Sequence, residues 1–364
     1  SQPRECFCLT ARIFIINKTE IREIDMNKTD ILKLIKKVND RYIADNPESG
    51  DCSWEKSCYF LGLAAAYEAT KEKRYLDYIF KWAEDNDWNF YFGEPQTVPT
   101  YQNADYQFCG EIYTWLLDKL GLDKHGKKYI MEAETTLCDK DVDYWWWVDT
   151  IYMALPFYNM MGKRLSDGRF TEKAHSLYTD VRNRRKCYDA SEHLWYRDER
   201  FLPGGELAPS GEKIFWGRGN GWVIGGLVRT LEYLCENDEY YAEYKEDFVN
   251  MAERLLPLIC ADGFWHVNLL NPEEYDCPES SGTALIAMSF LKGYNLGILD
   301  KRFYDAAVRA VSAIVETALT EDGRIGWTQG IAWGPTPVDE NTTKDYVAGC
   351  FTICCCEMLK HIVK

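Results

Sequence analysis

Phe215-Trp216-Gly217-Arg218-Gly219-Asn220-Gly221-Trp222 is an unusual way to open a helix. Three glycines in five residues lower helix propensity, so the stretch needs some other reason to exist. Working outward from it, similar starts recur along the 364-residue chain: Ser53-Trp54, Asn103-Ala104-Asp105, Trp147-Val148-Asp149, Ser280-Ser281-Gly282-Thr283 and Tyr346-Val347-Ala348-Gly349. Each follows a long loop, and each opens a segment richer in Ala, Gly and Cys than the helical segment before it. The interval is roughly 45–75 residues, a weak internal repeat of helical hairpins. Apolar residues at helical spacing (Ile31, Leu34, Ile35 and Val38; Tyr75, Ile79, Trp82 and Ala83) fill the intervening segments. Twelve helical segments follow from residue 28, including 105–120, 126–137, 149–162 and 170–189. Short hairpin-like pieces, Leu194-Trp195-Tyr196 and Gly263-Phe264-Trp265-His266, lie between them, and no alternating run predicts a central sheet. Small-residue helices ringed by amphipathic ones make an all-α (α/α)6 toroid over residues 28–364, with residues 1–27 as a leader. An open helical solenoid is the rival, but it wants more uniform repeats and terminal caps. In the closed form the inner-helix starts converge on one mouth, where a ligand site belongs.

Composition bounds the partners. Lys plus Arg is 42 against 58 Asp plus Glu, a formal charge of −16 with no offsetting basic stripe, which excludes nucleic acid and anionic lipid. No apolar run reaches the roughly 18 residues of a membrane span. The 14 cysteines include three in a row, Cys354-Cys355-Cys356, and make no CxxC pair and no clustered His–Cys set. They read as small buried hydrophobes of a reducing, cytoplasmic protein, with neither structural metal nor cofactor expected. The oligomeric state is not readable from the chain.

The candidate chemistry sits at the loop ends. Asp149 follows Trp145-Trp146-Trp147, and indoles around a carboxyl disfavour its ionised form, as a general acid near neutral pH requires. Asp105 is a second carboxyl at another inner-helix start, and a two-carboxylate pair across the mouth follows. The structural alternative for both is an N-cap. Arg218 offers a planar fork for a carboxylate, while Trp222, Trp216, Trp147 and Trp54 offer stacking faces. The glycines around Arg218 are not a phosphate loop, because that spacing and a preceding strand are absent. Arg197 and Lys213 are further cations of the same loops. Of the five scattered histidines, His193 and His266 lie on the side of the mouth; the others read as fillers.

Four of these stretches, Trp145-Trp-Trp-Val-Asp149-Thr-Ile-Tyr-Met-Ala-Leu-Pro156, Phe215 to Trp222, Ser280 to Ala284 and Tyr346 to Gly349, resemble the unsaturated rhamnogalacturonyl hydrolases of glycoside hydrolase family 105, relatives of the family 88 unsaturated glucuronyl hydrolases. The resemblance runs over about residues 28–364 and implies an (α/α)6 barrel. It implies a substrate made by a polysaccharide lyase, with a 4,5-unsaturated uronic acid at the non-reducing end. The family's reaction protonates C4 and adds water at C5, and the hemiketal so formed opens to release the aglycone. Asp149 matches the family's general acid/base and Asp105 its second aspartate; Arg218 and Trp222 match positions that contact the sugar. One departure stands out: the family's histidine after a Leu-aromatic-Tyr segment is replaced here by Arg197-Asp198, which leaves the aglycone open. The bland alternatives are an ordinary inverting glycosidase acting on saturated sugars through Asp149 and Asp105, and a glycan-binding toroid without turnover.

Overall fold

The computed structural model describes residues 26–90, 103–122 and 144–362. The long helices are α1 (Lys28–Asp45), α2 (Trp54–Thr70), α3 (Lys73–Asp85), α4 (Cys109–Leu120), α5 (Leu155–Leu165), α6 (Gly168–Thr179), α7 (Gly217–Tyr233), α8 (Tyr241–Leu255), α9 (Ser280–Asn295), α10 (Lys301–Ala313) and α11 (Asp345–Ile362). Helix α2 packs on α4, α4 on α5, α5 on α7, α7 on α9, α9 on α11, and α11 returns to α2. These six form a closed inner ring. Outside it, α1 lies on α11 and α2, α3 on α2 and α4, α6 on α5, α8 on α7, and α10 on α9 and α11. The helix expected at 126–137 lies outside the described residues, as do residues 1–25 of the expected leader. The architecture is an (α/α)6 barrel.

The two rings differ because their burial differs. Helix α3 buries one stripe, Tyr75, Tyr78, Ile79, Trp82 and Ala83, whereas α9 buries Ser280 through Gly293 without a break. A helix enclosed on all sides needs small residues where neighbours cross. Gly62 of α2 and Gly349 of α11 show the limit: a Cβ on Gly62 would lie 2.4 Å from the Gly349 carbonyl oxygen. Any side chain there would force apart the helices that close the ring.

Some expected helices are broken, for local reasons. Segment 149–162 divides into Thr150–Met153 and α5, because Pro156 has no N–H to give the Tyr152 carbonyl. Arg229 Nη1 takes that freed oxygen instead, at 2.9 Å. Segment 170–189 leaves regular helix at Thr179, passes through a wide turn Asp180–Arg184, and enters a two-stranded hairpin, β1 (Tyr188–Asp189) and β2 (Leu194–Trp195). Gly263–His266 is a turn rather than a hairpin strand. No described helix is long and apolar enough to cross a membrane.

Candidate active site

Asp149 stands at the entry to the Thr150–Met153 turn but does not cap it: its side chain accepts no capping hydrogen bond. Its Oδ1 is buried without a partner. Asp105 is inside the short helix Ala104–Gln107, which Asn103 caps by accepting from the Asp105 N–H at 2.9 Å. Neither carboxylate therefore serves as an N-cap, and no hydrogen bond from a described side chain reaches either one. Partly burying carboxyl groups without such partners is costly, which makes the pair a candidate site.

Their protonation follows from that burial. Asp105 is pushed up to about 7, first by burial and then by the negative charge of Asp149, with Arg197 opposing. Asp149 is also raised, again first by burial; Arg197 and Arg218 pull it down and Asp198 pushes it up. Within the pair the push runs chiefly from Asp149 to Asp105, because Arg197 and Arg218 both favour the ionised form of Asp149. Near neutral pH the pair holds a proton that is available for transfer.

A backbone splice brings Arg197 to this pair. The Val148 N–H donates to the Arg197 carbonyl at 3.0 Å, and Trp147 bridges Asp198 in antiparallel fashion. Asn220 holds the same hairpin to α7: its Oδ1 accepts from the Trp195 N–H at 2.8 Å, and its Nδ2 donates to the Trp195 and Trp216 carbonyls. That gives the Arg-Gly-Asn-Gly-Trp stretch its first purpose, and Asn220 is a residue that spacing and composition did not single out. Arg197 Nη1 pairs with Asp198 at 2.6 Å, while its Nε is buried and unpartnered.

Arg218 is 2% exposed and lies under the 329–332 loop. Its Nη1 donates to the carbonyls of Gln329 and Gly330 and to the Tyr346 hydroxyl, at 2.9, 2.8 and 2.6 Å. Glycine at 282 makes room for this helix start, since a Cβ there would meet the Arg218 nitrogen at 2.9 Å. Lys213 is tied to Asp189 at 2.8 Å, on a carboxylate that also accepts from Tyr196 and Ser191. His193 meets the Tyr188 hydroxyl, and His266 meets Asp262.

The aromatic residues divide into wall and rim. Trp216 and Trp222 are each 1% exposed. Arg218 covers Trp216, and Trp222 is surrounded by Trp54, Tyr152 and Tyr346. Both support the wall instead of presenting a face, and Trp147 is likewise buried. Trp54 is half-buried against Trp222. The accessible indoles are Trp146 and Trp333, with ring centres 6.2 Å apart. Trp333 was missed in the sequence because its loop shows no helical period. Arg200 anchors that loop by donating to the Trp333 carbonyl at 2.7 Å while also pairing with Asp198.

The family model for glycosyl hydrolase family 88 matches residues 28–362. The unsaturated 3S-rhamnoglycuronyl hydrolase of Formosa agariphila is 30% identical over 330 residues, covering 84% of this chain and 84% of that protein. Among solved structures, a glycosyl hydrolase family 88 protein from Bacteroides vulgatus is 30% identical, with a TM-score of 0.84 over 92% of this chain and 99% of the other. A solved polysaccharide lyase is 29% identical, also with a TM-score of 0.84, over 92% and 98% of the two chains. With the family model spanning the whole barrel, the chain belongs to glycosyl hydrolase family 88.

Proposed function

We propose that this glycoside hydrolase removes a 4,5-unsaturated uronic acid from the non-reducing end of short, lyase-generated oligosaccharides, with rhamnose as the adjoining sugar. The observation that carries the reading is the pair Asp105 and Asp149, two half-buried carboxyls with no structural duty beside a guanidinium whose Nε is unused. Rhamnose is supported by the rhamnoglycuronyl hydrolase relatives.

In this reaction the Asp149 carboxyl gives its proton to C4 of the enol ether. Water adds to the oxocarbenium carbon C5 and returns a proton to the Asp149 carboxylate. The resulting hemiketal opens, the bond to the aglycone breaks, and an alcohol leaves. In the free enzyme the pair's proton favours Asp105; it passes to Asp149 as the substrate carboxylate engages Arg197, leaving Asp105 as the anion of the pair. Arg197 holds the uronate carboxylate: its charge reaches both aspartates, whereas that of Arg218 acts on Asp149, and the Nε of each is buried without a partner. Arg218, the cation expected from the sequence, has its Nη1 fully occupied by the 329–332 loop, so we assign it to shaping the pocket floor. Trp146 and Trp333 pack against the sugar at the mouth. Eleven described cysteines are all unbridged, which supports a cytoplasmic enzyme that finishes imported fragments.

The test is an unsaturated uronyl-rhamnose disaccharide in D₂O. Loss of the double bond's ultraviolet absorbance with deuterium at C4 supports the reading. Equal turnover of the saturated disaccharide identifies an ordinary glycosidase. Rising absorbance on the intact polysaccharide identifies a lyase, the activity named for one of the solved relatives.

A further inference from the structure

The turn Cys260-Ala261-Asp262-Gly263-Phe264-Trp265-His266 gathers three donors of different chemistry. The Cys260 thiol, an Asp262 carboxylate oxygen and a His266 ring nitrogen all lie within 4.8 Å of one another. They take no part in the site described above.

The turn is rigid for reasons outside this trio. The Cys260 N–H donates to the Phe264 carbonyl at 2.9 Å, and the Gly263 N–H donates to the Cys260 carbonyl at 3.0 Å. Gly263 has φ +83, a conformation that glycine adopts without strain. Arg309 of α10 donates to the carbonyls of Cys260 and Ala261, both at 2.8 Å. Asp262 Oδ1 accepts from the Phe264 N–H at 3.1 Å, which turns Oδ2 toward His266 Nε2, 2.9 Å away. His266 Nδ1 is 3.2 Å from the Pro272 carbonyl, so a proton on Nδ1 is held there and Nε2 faces the other two donors. A metal-binding histidine is oriented in this way, with its second nitrogen donating to a backbone carbonyl.

We propose that Cys260, Asp262 and His266 form a zinc site, with solvent as the fourth ligand. Zinc bonds of roughly 2.0–2.3 Å place tetrahedral ligand atoms about 3.3–3.8 Å apart, so sub-ångström side-chain shifts suffice. Thiolate and imidazole select zinc over magnesium or calcium, which want oxygen alone. On binding, two protons leave for solvent: that of the Cys260 thiol as sulfur bonds the metal, and the one between His266 Nε2 and Asp262 Oδ2 as both atoms turn to it. The ion braces the segment on which α7 begins: the Gly217 N–H donates to the Val267 carbonyl at 2.8 Å, and the Leu269 N–H to the Phe215 carbonyl at 3.0 Å. It thereby stiffens the wall behind Arg218.

The experiment uses the full chain, stripped with a chelator, kept reduced, and titrated with zinc against a chromophoric chelator. One equivalent should bind, with affinity at least about tenfold lower in Cys260→Ser and in His266→Gln. Cobalt loading should give a thiolate-to-metal charge-transfer band that survives Cys235→Ser, at an exposed cysteine, and disappears in Cys260→Ser. If His266→Gln does not fold, the cobalt band of the Cys260→Ser and Cys235→Ser pair decides alone. Zinc uptake equal in wild type and Cys260→Ser, or no stoichiometric uptake, overturns the site and leaves a His–Asp hydrogen bond.

Discussion

The Val148 N–H and the Arg197 carbonyl are 3.0 Å apart, and this one backbone bond sets a guanidinium beside the Asp149 carboxyl. In the proposed reaction these two groups supply the proton and the cation that hydration of an unsaturated uronate needs. Asp149→Asn keeps the shape and loses the proton. Turnover should fall by at least about 10²–10⁴ while the disaccharide still binds, since both proton steps fail together. Single-turnover kinetics with calorimetric binding checks this. A variant retaining more than about a tenth of wild-type turnover would falsify the assignment.

Asp105 makes a prediction about stability. Its folded pKa, about 7, lies above the ~3.9 of an unfolded aspartate. The native state therefore binds more protons between those values, and stability falls as pH rises from about 4 to 7. Below that window both states are protonated and the penalty vanishes. Asp105→Asn removes the penalty, so it should melt higher than wild type at pH 8 and show a much smaller difference at pH 4. Thermal melts at the two pH values decide; a variant less stable than wild type at pH 8 would count against burial as the cause.

The barrel was legible because its signal is repeated: a long loop, then a small-residue helix, six times over. Breaks such as the one before Pro156 depend on which carbonyl finds another donor, and Arg229 is 77 residues from Tyr152. The carboxylates were legible as types, but their freedom from capping was not. Asn103 and Asp105 are both good caps, and only the structure shows which one caps. The tryptophans misled in a consistent way. Trp216 and Trp222 sit in the conspicuous motif because they pack the wall beneath the mouth, whereas Trp333 reaches the rim from a loop without pattern.

The two arginines separate by experiment. Arg197→Ala should raise KM for the unsaturated disaccharide roughly 10–150-fold, matching about 1.5–3 kcal/mol for hydrogen bonds to a charged group. Its melting temperature should fall less than that of Arg218→Ala, because Asp198 keeps its pairing with Arg200, and Arg197→Lys should recover part of the affinity. Arg218→Ala leaves the carbonyls of Gln329 and Gly330 and the Tyr346 hydroxyl without their shared donor, so it should lose thermal stability as well as activity. Equal melting losses in the two alanine variants would remove the distinction.

The last prediction concerns the indoles. Trp333 is 64% exposed and Trp146 38%, and neither fills the core. Trp333→Ala and Trp146→Ala should therefore leave denaturant midpoints close to wild type. They should weaken disaccharide binding by about 0.5–1.5 kcal/mol each, the scale of an aromatic contact beyond simple burial. Trp222→Ala should behave in the opposite way. Its ring is enclosed by Trp54, Tyr152 and Tyr346, so truncation leaves a cavity costing about 3–5 kcal/mol in unfolding free energy. Any activity lost at 222 should track the loss of folded protein, and recover on assay well below the variant's midpoint. If Trp222→Ala is as stable as wild type but fails to bind sugar, position 222 faces the ligand after all, and the division into wall and rim is wrong.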